Sequence, residues 1–306
     1  MYENSSLYEP TGDDPESGTA TRSLPPVAED AGGETRLQAQ FQRCKGEGVL
    51  KCRLDGTSTV PSDIYQSGSL KIRFPNARDG APLEAVMINL GGGLTGGDKL
   101  SFAAFVQPGA EAVLTTQACE KIYRSLGTPA VVNVTLDVSD GAALEWLGQP
   151  TIVFDGGHLR RRTSVALSGT ATFLGIEAFI FGREAMGESV QRGDLTDCWE
   201  IRRDGDLIHT DTFAVAGNVS QTLGHPAALG PNRAMATLRY VATDAEARLE
   251  ELRDLLSDFP GRAAASAWNG MLIARFAARD GYDLTKGIHH VLDRFRNTRM
   301  PAVWSI

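Results

Sequence analysis

The chain has 306 residues, 42% of them hydrophobic and 22% charged, with a net charge of −8. That length allows two domains or one large β domain with an appendage, and the composition excludes a collagen-like or wholly disordered chain. Residues 1–35 hold eight acids against one base, Arg22, while the remaining 271 residues carry 30 acids and 29 bases, so the body lacks the dense basic surface that a nucleic-acid binder needs.

Along the chain, the acidic segment 1–35 also carries Pro10, Pro15, Pro25 and Pro26. It offers too little apolar surface to offset the entropy of ordering it, and a disordered tail is expected there. It has no basic head followed by an apolar core, and no run in the chain approaches the roughly 18 apolar residues of a membrane helix. A cytoplasmic protein without a membrane partner is expected. Residues 36–242 are expected to form a β-rich body. Val132, Val134, Leu136 and Val138 alternate with Asn133, Thr135 and Asp137, the period of a half-buried strand. Asp204-Gly205, set between Ile201 and His209, predicts a hairpin. Residues 243–306 are expected to be helical and packed on the body. Thr243 and Glu246 have capping-box spacing ahead of Leu249, Leu252, Leu256 and Phe259. A second helix is expected over residues 263–278, and a third with Leu284, Ile288, Val291, Leu292 and Phe295 on its apolar stripe. Strands followed by helices mean α+β, mainly β.

The segment Asn89 to Asp98 contains five glycines. Gly91, Gly93 and Gly96 satisfy a dinucleotide-binding spacing, but no helical pattern follows them, as that site requires. An irregular turn with Asp98 accepting from exposed amides is expected instead. Cys44, Cys52, Cys119 and Cys198 form no CxxC pair, and the five histidines form no HExxH motif, so no fixed metal site and no tightly bound cofactor are expected. No GxSxG elbow is present. Glu145 and Glu177 are carboxylates in apolar surroundings, a setting shared by structural acids and proton-transfer residues. An alternative reading is a β-rich hydrolase of saccharides working through Glu145 or Glu177, with a partner carboxylate facing it across an open cleft. Gly182 to Glu188 reads as a charged loop between glycines, either solvated or a contact surface.

Taken in order, Asn89–Asp98, Thr115–Ser125, Glu145–Gln149 with Phe154–Gly156, Gly182–Arg183 through Met186–Glu188, Ser266–Gly270 and Pro301–Ile306 resemble the UreD (UreH) family of urease accessory proteins. The resemblance spans about residues 65–306. Gly148 and Pro150 depart from the family pattern, as does Ala302. The resemblance implies stacked β-sheets like a helical β structure with a small helical part. It implies a non-enzymatic scaffold or chaperone that acts in a complex with UreF and the GTPase UreG, and places nickel in the urease apoenzyme. It also implies an internal passage for nickel in transit. A passage should bind weakly, as oxygen ligands do, and Asp98, Glu145 and Glu177 are expected to line or support it. The 182–188 loop and the C-terminal end are expected to meet partners, through Arg183, Glu188 and Trp304.

Overall fold

Alternation of β-branched and aromatic residues with polar ones builds strands through most of the chain. The computed structural model describes residues 43–75, 81–183, 187–296 and 298–304. The expected acidic tail lies outside these residues. All described residues belong to one compact unit, Gln42–Ile306.

The strands begin with β1 (Lys45–Asp55), β2 (Ser58–Gly68), β3 (Leu70–Arg73), β4 (Leu83–Asn89), β5 (Lys99–Val106) and β6 (Glu111–Thr116). Next come β7 (Glu120–Ile122), β8 (Ala130–Val138), β9 (Ala143–Leu147), β10 (Thr151–Val153), β11 (Gly157–Leu167) and β12 (Thr172–Phe181). After β13 (Arg192–Arg203) and β14 (Asp206–Asn218), a short α1 (Val219–Gly224) leads into β15 (Ala234–Val241). The chain closes with α2 (Leu249–Leu256), β16 (Gly261–Trp268), β17 (Met271–Ala278), α3 (Gly281–Phe295) and a 3-10 turn, Ala302–Trp304.

Two sheets result. One has the order β14-β13-β11-β8-β5-β1-β2, the other β16-β17-β15-β12-β9-β6-β4-β3, with β10 and β7 joined to β12. Between β4 and β13 the long strands alternate sheets, and neighbours within each sheet run parallel. The middle of the chain is therefore a two-sided β-solenoid, mainly β as expected. Antiparallel partners finish it at both ends: β2 on β1 and β3 on β4, then β14 on β13 and β15, β17 and β16 beyond β12. Among the described residues no helix is long and apolar enough to cross a membrane.

The faces differ in what covers them. The first sheet buries alternate residues and exposes or half-exposes the others, as in β5 and β8, which is why the Val132–Val138 pattern is readable. In the second sheet β12 and β17 are buried on both faces along most of their length. Phe173, Ile273 and Met271 look into the sandwich, while Leu174, Ile176, Leu272 and Ala274 pack with Leu252, Ile288, Val291 and Leu292 of α2 and α3. Two-sided burial yields continuous apolar runs instead of alternation.

That covering corrects the expected second helix. Residues 263–278 form the β16–β17 hairpin, whose turn residues Asn269 and Gly270 have φ of 50° and 72°. Asn-Gly favours such a turn. Glu246 does not cap α2, because its Oε1 accepts from the Gly270 amide at 2.7 Å. The expected hairpin at Asp204-Gly205 is present, with Arg203 opposite Asp206.

The C-terminal turn is pinned from far along the chain. Trp304 is 4% exposed, and its Nε1 donates to Thr115 Oγ1 and Leu147 O, each at 3.2 Å. Gln149 Nε2 donates to Val303 O at 3.1 Å. Truncating a buried tryptophan costs about 3–5 kcal/mol, and Trp304→Ala is expected to lose that much stability in urea unfolding. A loss under about 1 kcal/mol would show that the anchor is dispensable.

Candidate functional site

Two apolar clusters fill the space between the sheets. One contains Phe102, Trp146, Phe173 and Trp199, and the other Leu100, Ile122, Phe179 and Leu195. Between them the inward positions turn polar. On β11, Arg161 and Thr163 lie between Leu159 and Val165. On β12, Glu177 lies between Phe173 and Phe179, and on β13 Asp197 lies between Leu195 and Trp199. Thr237 and Arg239 continue the layer on β15, and Arg275 on β17. Strand register thus aligns a polar layer across both sheets.

Arg161 is the centre of this layer. Its Nη1 stands 2.8 Å from Glu177 Oε1 and its Nε 2.8 Å from Asp197 Oδ1, while Nη1 also donates to Thr151 Oγ1 at 3.0 Å. The pair with Glu177 crosses from sheet to sheet, while Asp197 stands beside Arg161 on the neighbouring strand of its own sheet. Further along, Asp211 Oδ2 accepts from Arg239 and from Arg275, both at 3.0 Å. Arg239 also lies over the Trp199 ring, 4.3 Å from its centroid. The layer ends at Arg275, which is exposed.

At its other end the layer meets a cavity of about 310 Å³. Arg161 and Glu177 border it, together with Thr151, Gln149, Glu120 and the backbone of Gly92 and Gly93. The mouth is shaped by the glycine-rich turn. An added Cβ at Gly93, where φ is 144°, would lie 2.4 Å from the Tyr123 ring, and one at Gly96 would lie 2.3 Å from Thr128 O. The glycines let this turn press on the 121–128 segment. Asp98 holds it: Oδ1 accepts from the Cys44 amide and Oδ2 from the Thr95 amide, both at 2.8 Å.

The residues expected from sequence separate accordingly. Glu177 lines the cavity, and Asp98 supports its wall through the turn. Glu145 is corrected: β9 sets it in register with Leu174, on the face opposite Glu177. There it accepts from Arg296 Nε at 2.6 Å and pairs with Arg296 Nη2. Glu145 and Glu177 therefore share no cleft and do not form a glycosidase carboxylate pair with each other. Trp304 is also corrected, since its burial makes it an internal anchor and withdraws it from any partner surface. Arg183 and Glu188 do lie at the surface, paired at 2.7 Å, with Arg183 over the Phe154 ring. Residues 184–186 of that loop lie outside the described residues.

Sequence reading missed Arg161, Asp197, Arg239 and Glu120. Arg160 and Arg162 pair with Asp194 and Glu200 on the more open outer face. Parity with Leu159 and Val165 is the signal that singles out Arg161 as the inward member of that run.

The electrostatics follow from burial. The Glu177 carboxyl is pushed up to about 7, first by loss of water; Arg161 opposes this, and the like charge of Asp197 adds to it. Burial likewise raises Glu120, which accepts from Asn89 Nδ2 at 3.0 Å, and it lowers Arg239. The value for Glu177 lies above the ordinary 4.5, so the folded state holds its proton more tightly than the unfolded chain. Stability from that proton is fully present below pH 4.5 and lost as pH rises through about 7. Glu177→Gln imitates the protonated acid. Urea unfolding across this window is expected to show the wild type losing about 3 kcal/mol relative to that variant as pH rises. Parallel curves would mean that Glu177 titrates normally.

The family model described as UreD urease accessory protein matches residues 45–305. "Urease accessory protein UreD" of Xanthobacter autotrophicus is 44% identical over 289 residues, covering 94% of this chain and 99% of that protein. The proteins of the same name from Azorhizobium caulinodans and Rhizobium johnstonii are 43% and 42% identical, over 82% and 87% of this chain and 92% and 96% of their own. The chain belongs to the UreD family of urease accessory proteins.

Proposed function

We propose that this protein is a scaffold for nickel insertion into the urease active site, acting with UreF and the GTPase UreG on the urease apoenzyme. Membership of an accessory family supports a role in urease maturation outside catalysis. The observation that carries the finer reading is the polar layer. Charged side chains cross an otherwise apolar sandwich and adjoin a cavity bordered by Glu120 and Glu177. Even when paired, buried charges recover little more than their desolvation cost and add less than well-packed apolar groups would, so such a layer is costly as mere packing. As a route for a divalent cation it has a purpose, because carboxylate and hydroxyl oxygens contact nickel without holding it as thiolates do.

In this reading nickel reaches the cavity beside the glycine-rich turn and moves along Glu120 and Glu177 into the layer. Asp98 acts from behind, by keeping the turn closed on the 121–128 segment. Glu145 acts only by fastening Arg296. Arg183 and Glu188, which border an open groove with Tyr123 and Phe154, are the partner surface.

Nickel content and activity of urease, purified from cells lacking this gene, test the role. Deletion is expected to give apo-urease in normal amount, and restoring the wild-type gene to refill it. Glu177→Ala is expected to refill it poorly, while Glu145→Gln, if folded, refills it normally. Urease fully metallated without this protein would overturn the proposal.

A further inference from the structure

Resting on the reading of the layer as a metal route, the geometry points to a latent divalent-cation site formed by Glu177, Asp197 and Thr151, occupied at rest by the Arg161 guanidinium. The three oxygens come from both sheets and surround one side chain, at 2.8, 2.8 and 3.0 Å from its nitrogens. The carboxylates are buried, with side-chain exposures of 8% and 5%. Two carboxylate oxygens and a hydroxyl held around one buried guanidinium, two on Nη1 and one on Nε, form a hard-cation donor set. The guanidinium supplies the cation when no metal is there.

Independent observations indicate that this occupant is not the best the site admits. Arg161 Nη2 is buried without a hydrogen-bond partner among the described residues. So is the hydroxyl of Thr163, fully buried at the next inward position of β11. A permanent structural ion pair would be expected to satisfy its remaining donors. Arg161 also borders the 310 Å³ cavity, so its long side chain has room to swing aside while its Cα stays in the strand. The charges allow the exchange, since a divalent ion neutralises both carboxylates when the guanidinium withdraws.

The arrangement yields a site that empties itself. A metal ion between Glu177 and Asp197 competes with a cation tethered a few bonds away, whose local concentration is fixed by the backbone. Binding is therefore weak in the intact protein, and each departing ion is replaced by Arg161.

Full-length wild type, Arg161→Met and Arg161→Gln are titrated with nickel(II) chloride by calorimetry, with circular dichroism to verify the fold. The variants are expected to gain one nickel per chain with Kd at least about tenfold below that of the wild type. Adding Glu177→Gln to either variant is expected to abolish the gain. A folded variant that binds nickel no better than wild type overturns the inference, and so does a gain that survives Glu177→Gln. Arg161→Gln can still hydrogen-bond to the carboxylates, and it decides by the same criterion if Arg161→Met does not fold. Because the readout is metal on the isolated chain, a negative titration leaves urease maturation standing. Urease metallated without this protein would leave a positive titration standing.

Discussion

Arg161 ties the two sheets together through charge. Its partners Glu177 and Asp197 belong to opposite sheets, and none of the three can leave without stranding the others in an apolar interior. Breaking such a pair from one side costs about 3–5 kcal/mol, although the intact pair contributes little beyond well-packed apolar groups. The layer thus fixes how the sheets face each other more than it adds stability. It also accounts for the division of the core into two apolar clusters, since neither can extend across the charged band. Glu177 is raised first because burial strips water from its carboxyl, and the like charge of Asp197 on the same guanidinium adds to that.

The solenoid makes this band possible. In parallel neighbours, residues at matching register face the same side, so Arg161 and Asp197 on adjacent strands stand side by side. The strands of the opposite sheet present Glu177 from across the gap. A polar row thus needs only one inward polar residue per strand. The second sheet then needs cover on its outer face, and the last part of the chain supplies it. Phe295 and Tyr240 meet edge to face at 5.4 Å, and Arg296 closes the seam onto Glu145.

Legibility in the sequence tracked solvent exposure. The first sheet has one wet face, so alternation survives in β8, and the Asp204-Gly205 hairpin carries its own turn chemistry. The stretch Gly261–Ala278 lost its alternation because β17 is buried on both faces, and its alanines favour a helix. Asn269-Gly270 was the contrary signal, and both residues adopt the positive φ that the pair favours. Asp98 was legible as an amide acceptor because glycines leave backbone amides to satisfy. Glu145 and Glu177 looked alike, since both sit among apolar neighbours. Only strand parity separates them, and parity cannot be counted without knowing which face holds helices. Arg161 was hidden in a run of three arginines whose outer members are the ordinary solvated kind.

The Trp304 anchor has a consequence for the order in which the molecule comes into being. Its partners Thr115 and Leu147 lie 189 and 157 residues earlier in the chain. A ribosome delivers those strands long before it delivers their cover. Until α2, the last hairpin and α3 emerge, the outer row of β12, with Leu174, Ile176 and Ala178, has nothing to pack against. Such long-range closure makes folding slow and leaves apolar surface open meanwhile. The newly made chain therefore passes through a period in which its own unfinished sheet is the stickiest surface it has, and the arrival of that cover ends it.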